Sequence, residues 1–166
     1  HAASLWDAFG GAANPGLWTY IPDGPFGSVG AFAAWLRSVE ERTDWVSFAI
    51  VPRDAGRALG IANYMRLDPA NGVAEIGCIV LGDGLARTPA ATEAMALLAG
   101  RIFDELGYRR YEWKCDDGNA PSRRAAASPA FRSACRCWET LANAMPVRSA
   151  SVSTLRSPCA RCSSRS

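Results

Sequence analysis

Two periodicities divide the chain. Apolar residues recur at helical spacing over 28–42, where Val29, Phe32, Trp35, Leu36 and Val39 form one stripe, and again over 90–106, where Ala91, Ala94, Met95, Leu98, Ile102 and Leu106 do. A shorter helix is predicted over 2–9 and ends in the breaker-rich stretch from Gly10 to Pro15. Between the two long helices the pattern changes to short apolar runs at 45–51, 59–67 and 73–81. Tight turns at 52–60 and 68–72 join them, so they predict an antiparallel meander. Thr88 is a natural N-cap for the second long helix, with Pro89 at its first position and Gly107 as its C-cap. Residues 108–115 alternate like a strand. Asn119 and Pro121 then open another helix, which Ser128-Pro129 interrupts. Meander, helix, strand, helix gives an α+β (mixed α/β) class, with a mostly antiparallel sheet flanked by helices.

Near residue 128 the texture changes. From 132 to 166 the chain is rich in Ser, Arg, Ala and Cys, and apart from one weak helix over 137–145 its apolar residues follow no period. Composition therefore predicts a folded unit over 1–131 and a divergent, disordered tail over 132–166. The whole chain, 166 residues with 49% hydrophobic and 20% charged, is long enough for one domain with a real core. No apolar run approaches the roughly 18 residues that a membrane span needs, so no membrane partner is expected. A net charge of +2 is too small to predict a nucleic-acid partner. Lys114 is the sole lysine beside many arginines, which reads as the codon bias of a GC-rich bacterial genome. No secretion signal is visible, although the chain opens at His1, and a cytoplasmic, reduced protein is the expectation. Cys78 and Cys115, in strand-like surroundings, are expected to be small hydrophobes of the core.

Chemistry concentrates at 73–106, where a strand ends in the turn LGDGLARTPAATEA and a helix follows at once. A helix start carries unpaired N–H groups and the positive end of the dipole. Small residues there admit a phosphate, and Arg87 adds a charged fork, an arrangement that suits a pyrophosphate. On physics alone the same turn also reads as a plain cap.

The runs GIANYMRLDPANGVAEIG, LARTPAATEA, FDELGYRRYEWKCD and NAPSRRAA follow in order from residue 60 to residue 126, within a resemblance that covers residues 18–127. Together they resemble the GNAT superfamily of N-acetyltransferases, and more narrowly its RimJ/RimL-like branch. The family's pyrophosphate loop, Q/R-x-x-G-x-G/A, maps onto Arg87, Ala90 and Thr92, with alanine in place of the first glycine. The resemblance implies that acetyl-CoA is the co-substrate, with no metal. Backbone amides around Thr88, Ala90, Ala91 and Thr92 would hold its pyrophosphate, assisted by Arg87. The pantetheine arm would lie along the strand backbone at Ile76, Cys78 and Val80, in a gap where strands 73–81 and 109–115 run parallel and splay apart. The reaction is direct attack of a primary amine on the thioester in a ternary complex. Glu75 is the candidate proton acceptor, with an outward-facing salt bridge as its other reading. Asn119 and Ser122 match the family's N-x-x-S. They are implied to bind the pantetheine arm and to protonate the leaving thiolate, or else to serve as an N-cap and a first-turn serine. Arg123 and Arg124 would meet phosphates or solvent. Trp18, Tyr20 and Phe26 would line the amine pocket or anchor a loop. The acceptor, a protein N-terminus or a small-molecule amine, is left open, as is a homodimer.

Two departures from the family pattern stand out. The family's first strand, ahead of the helix at 2–9, is missing, so the chain is expected to be truncated. Ala130-Phe131 stands where Gly-Phe belongs, and the two strands that should follow are not matched. The tail resembles a GC-rich reading frame translated out of phase, and Cys135, Cys137, Cys159 and Cys162 are a poor zinc set. An active transferase, a degenerate acyl-CoA binder and a poorly folded fragment are therefore the rival expectations.

Overall fold

The apolar stripes and runs become helices and strands where the spacing places them. The computed structural model describes residues 1–128 and, as backbone, Ala150–Thr154. Helix α1 spans Ala2–Ala8 and α2 spans Val29–Glu41, the latter capped by the Ser28 side chain, which accepts from the Ala31 amide at 3.2 Å. Phe32 and Val39 are buried on α2, whereas Val29, the first residue of the predicted stripe, is 46% exposed at the helix start. Strands β1 (Val46–Pro52), β2 (Gly60–Asp68) and β3 (Val73–Leu81) form the antiparallel meander. Helix α3 (Pro89–Gly100) crosses over to β4 (Arg110–Trp113), which pairs parallel to β3, and α4 spans Ala120–Ala126. A fifth strand, β5 (Ala150–Thr154), pairs antiparallel with β1, giving the order β4-β3-β2-β1-β5.

Of the 132–166 tail, these five residues are described as backbone, paired to an otherwise open sheet edge. The rest of the tail lies outside the described residues. So do the 137–145 helix, Ala130-Phe131 and the four tail cysteines.

The sheet separates two cores. On one face Phe48, Ile50, Ala62, Tyr64, Ala74 and Ile76 meet Ala91, Ala94, Met95 and Leu98 of α3 and Ile102 beyond it. On the other, Ala49, Ile61 and Val80 meet Leu5 and Phe9 of α1, Phe32 of α2 and Trp18. The helix predicted over 90–106 is α-helical only to Gly100 and continues as a π-helical turn, Arg101–Glu105. There the Tyr64 hydroxyl donates to the Leu98 carbonyl at 2.6 Å, and the Leu106 amide reaches back five residues to Arg101. A side-chain donor entering the helical ladder is a recognised cause of such widening.

Strand β3 is not regular, and the irregularity positions the site. Ala74 and Ile76 face α3, so strict alternation would turn Cys78 and Val80 the same way. Instead Val80 joins the α1–α2 core, while Ile79 and Leu81 pack on the α3 side. Ile61 pairs with Val80 and Asn63 with Gly77, so two steps along β2 match three along β3. The extra residue makes a β-bulge, and Cys78 within it has a φ of 45°. Asn63, 1% exposed, fastens the bulge from β2: its Nδ2 donates to the carbonyls of Cys78 at 3.0 Å and Gly77 at 3.4 Å. A second irregularity lies between the Met65–Glu75 and Asp68–Val73 pairs, where Arg66 also has a φ of 45°.

Two predictions follow from this frame. A Cβ at Gly82, just past β3, would collide with the Ala8 carbonyl oxygen, and would lie 2.9 Å from the Ala8 carbonyl carbon and 3.0 Å from the Leu59 oxygen. These are backbone atoms that no rotamer change moves. Gly82→Ala is expected to cost about 1–3 kcal/mol in urea denaturation, while Gly16→Ala, whose new Cβ would meet nothing within 4 Å, stays near native. Asn63→Asp sets a buried carboxyl against two carbonyl oxygens. Burial raises its folded pKa above the unfolded value of ~3.9, and only the protonated form can donate a hydrogen bond. Its contribution is therefore largest below the unfolded pKa and is lost as pH rises through the folded pKa. The variant should lose about 1–3 kcal/mol at pH 7 and less at pH 5; an equal loss at both would contradict this account.

Candidate functional site

Strands β3 and β4 pair from Val73–Arg110 to Ile76–Trp113 and then part. Beyond that fork, residues 77–81 of β3 continue alongside β2 with no partner strand on their β4 side among the described residues. The opening is a cleft of about 310 Å³. Ile79 and Leu81 form its floor, Trp113 stands at the fork, and Pro121, Arg124, Ala125 and Ser128 of the α4 segment form one wall. Arg87, Thr88, Ala91, Thr92 and Met95 form the other. The two floor residues face the cleft because the bulge reversed the strand's parity.

The α3 end of the cleft is polar for reasons written in the loop. Thr88 caps the helix: its hydroxyl donates to the Leu85 carbonyl at 2.7 Å and accepts from the Ala91 amide at 3.3 Å. Pro89 has no N–H, and the Thr92 amide is taken by the Thr88 carbonyl. The amides of Arg87 and Ala90 donate to no protein acceptor among the described residues. Arg87 holds a φ of 64°, a conformation seldom adopted by a residue with a side chain. Arg66, Cys78 and Arg87 are the described non-glycine residues at positive φ, and all three belong to this region. Two free amides, a helix dipole and an exposed guanidinium can together hold an oxyanion.

The opposite face of the fork is charged. Glu75 is 4% exposed, and its carboxylate is gripped from both sides: Arg66 donates to Oε1, and Lys114 Nζ donates to Oε2 at 2.6 Å. Lys114 also pairs with Glu112 at 2.8 Å, and Glu112 with Arg110. These hydrogen bonds, Glu112 first and Glu75 second, hold the Lys114 ammonium above the usual lysine value. Lys114, then Arg110, holds the Glu112 carboxyl below its own. Glu75 is thus in a salt bridge, as its second reading has it, but buried rather than facing outward. Beside it Cys78 is half-buried, and burial pushes its thiol pKa up.

The remaining expected residues fall into place unevenly. Asn119 caps α4, its Oδ1 accepting from the Ser122 amide at 3.1 Å. The Ser122 hydroxyl accepts from Trp113 Nε1 at 2.9 Å, which fastens α4 to the tip of β4. Arg124 reaches the cleft, while Arg123 pairs with Asp117 at 3.0 Å. Ile76 is fully buried in the α3-side core, and Val80 and Ala90 do not line the cleft with their side chains. Cys115, expected in the core, is exposed, because β4 ends at Trp113 and Cys115 lies beyond the sheet. Trp18 and Phe26 anchor their loop, with ring centroids 5.0 Å apart and both packed on Trp35. The Tyr20 hydroxyl ties that loop to the Gly118 carbonyl at 2.9 Å.

Arg66, Lys114 and Asn63 were not among the residues expected at the site. The first two had a signal in the alternation Glu112-x-Lys114 and in a basic residue on the strand before Glu75. Asn63 had one in being a lone amide inside an apolar strand. Among the described residues, no helix is long and apolar enough to cross a membrane, and no cluster of His, Cys, Asp and Glu is grouped for a metal.

Comparison with known proteins accounts for this arrangement. The acetyltransferase (GNAT) domain family matches residues 2–132, wider at both ends than the motif-bearing stretch. A GCN5-related N-acetyltransferase from Brucella melitensis is 41% identical, with a TM-score of 0.72, over 76% of this chain and 57% of its own length. A GNAT-family acetyltransferase from Chromobacterium violaceum is 40% identical, with a TM-score of 0.70, over 76% of this chain and 62% of its own. The chain thus spans less than two thirds of the length of either. A spermidine N-acetyltransferase from Vibrio cholerae, solved with CoA and spermine, shares the fold at 12% identity and a TM-score of 0.57. No curated protein matches the sequence. The family's model covers most of the chain, and the chain shares its fold with solved members: it belongs to the GNAT acetyltransferases.

Proposed function

We propose that this chain binds acetyl-CoA in the forked cleft and transfers the acetyl group to a primary amine by direct attack. The observation that carries this reading is the free amides of Arg87 and Ala90, with the Arg87 guanidinium, at the wide end of a gap that narrows to a charged fork. The pyrophosphate sits at the start of α3 against residues 87–92, with Arg124 approaching from α4. The pantetheine arm runs between Ile79 and Leu81 on one side and α4 on the other, alongside the unpaired backbone between Ile76 and Val80. The thioester arrives where Trp113 and Lys114 leave the sheet, and backbone N–H groups of the bulge polarise its carbonyl.

An incoming amine must reach the fork neutral and then lose a second proton as the C–N bond forms and the C–S bond breaks. Glu75 is a buried carboxylate at the fork and is assigned as the proton acceptor, and Ser122, tied to Trp113, is assigned as the hydroxyl that protonates the departing sulfur. Motif spacing supports the RimJ/RimL-like branch, with a protein N-terminus or a small-molecule amine as acceptor. The two similar structures come from bacteria, which supports a bacterial source; a cytoplasmic setting rests on the sequence reading alone.

One observation favours a second reading, a binder without turnover: both carboxylate oxygens of Glu75 are already engaged, Oε1 by Arg66 and Oε2 by Lys114. Thiol release from acetyl-CoA, measured over a panel of amines, separates the two. Binding itself is tested by calorimetry and thermal shift. Acetyl-CoA should raise the melting temperature in a concentration-dependent way. Arg87→Ala should weaken binding about tenfold or more, the loss of one charge-assisted hydrogen bond of roughly 1.5–3 kcal/mol. A folded chain with no shift would refute the reading.

A further inference from the structure

The fork holds an amine of the chain's own. Lys114 is the sole lysine in the sequence. It follows directly on Trp113, the last β4 residue paired to β3, and thus stands where the gap closes to a point. Alternation along β4 puts its side chain on the face of Glu112 and Glu75, and Nζ lies 2.6 Å from Glu75 Oε2 and 2.8 Å from Glu112 Oε2. It is not enclosed: its side chain is 56% exposed, against 5% for Glu75. The group that a transferred acetyl requires, a primary amine hydrogen-bonded to a carboxylate, is therefore present at the fork, on the sheet face opposite the cleft that Trp113 lines.

We infer that Lys114 is a self-acetylation site, its Nζ taking the acetyl group of acetyl-CoA bound in the adjoining cleft. The inference rests on the proposed acetyl-CoA site. The step balances within the groups present. Nζ, exposed on one side, gives up one proton to solvent to become the free amine, and its lone pair forms the N–C bond to the thioester carbonyl. The C–S bond breaks, a second proton passes to Glu75, and the CoA thiolate leaves and is protonated from solvent. No oxidant or metal is involved. Proximity replaces a bimolecular encounter and so raises the rate, while the two carboxylates that favour the ammonium slow it. The result is one slow event per chain rather than turnover. Its consequence is electrostatic. An amide at Lys114 carries no charge, so Glu75 keeps Arg66 alone and Glu112 keeps Arg110 alone. The modification thereby releases Glu75 from half of its clamp.

The test uses the full chain with acetyl-CoA and no added amine, read by intact mass and by peptide mapping at Lys114. CoA binding is measured separately by calorimetry. In the folded protein Lys114 should gain one acetyl group at least about tenfold faster than the same lysine in urea. Glu75→Gln should slow the gain about tenfold, and Lys114→Arg, which keeps the positive charge facing both carboxylates, should abolish it while still binding CoA. Acetyl-CoA binding with Lys114 modified no faster than in urea would overturn this inference and leave the binding site standing. Absence of both would remove the acetyl-CoA reading beneath it. A Glu75→Gln chain that is modified as fast as the parent would remove Glu75 as proton acceptor.

Discussion

The Asn63 amide holding two successive carbonyls of β3 is the interaction on which the rest of the site depends. Without the extra residue at Cys78, β3 would present Ala74, Ile76, Cys78 and Val80 to α3, and Ile79 and Leu81 would point into the α1–α2 core. With it, the strand serves both layers: Ile76 seals the α3-side core, Val80 the other, and Ile79 and Leu81 floor the cleft. A bulge leaves backbone groups out of the ladder, and inside a sheet these must be satisfied. Asn63 does so with both hydrogens of one side chain. The cost is visible next to it. Asn63 Oδ1 and the hydroxyl of Ser47, its register partner on β1, are buried without a hydrogen-bond partner among the described residues. An amide oxygen and a hydroxyl left unsatisfied beneath the bulge are the kind of feature that a fold retains for function rather than for stability.

The charges on the other side of the fork follow from the same geometry. Glu75 is brought to 4% exposure by its place on an inner strand, β3, and an ionised carboxylate there requires partners. They come from both neighbouring strands: Arg66, turned back by its own left-handed backbone, and Lys114, from just past the end of β4. Both partners are largely exposed at their charged ends, so the cluster is anchored by one buried anion and open to solvent through its cations. That asymmetry matters for chemistry. A cation that is half in water can move aside without leaving a buried charge of its own, and Glu75 is the fixed point of the arrangement.

Much of this was legible in the sequence, and the gaps have physical causes. Helix and strand assignments rested on period and capping, and these are local. Thr88, Pro89 and Ser28 do what their side chains dictate. The parallel return of β4 and the fork came from resemblance, not from residue pattern. What a period-2 pattern could not show was a break in its own phase. VAEIGCIVL reads as an unbroken apolar run whether or not residue 78 bulges, and the residue that decides it, Asn63, lies on another strand. The π-helical turn after Gly100 has the same origin, a contact from Tyr64 on β2 that α3's own sequence does not announce. Cys115 went astray in the opposite way. The alternation of 108–115 continues past the point where pairing stops, so its pattern is that of a strand although its surroundings are solvent.

The two faces of the fork thus answer different demands with different materials. The cleft on the α3 side is built from backbone amides, small residues and apolar floor, features that suit a long donor with a charged head and that many sequences supply. The opposite face is built from specific side chains on three strands, Arg66, Glu75, Glu112 and Lys114, each fixed by the others. On the proposed reading, substitution in the first alters how tightly the donor is held, and substitution in the second alters the proton-accepting face. The bulge joins the two faces through one backbone segment, so a change in its geometry moves both together. The fork between β3 and β4 is therefore a single structural unit.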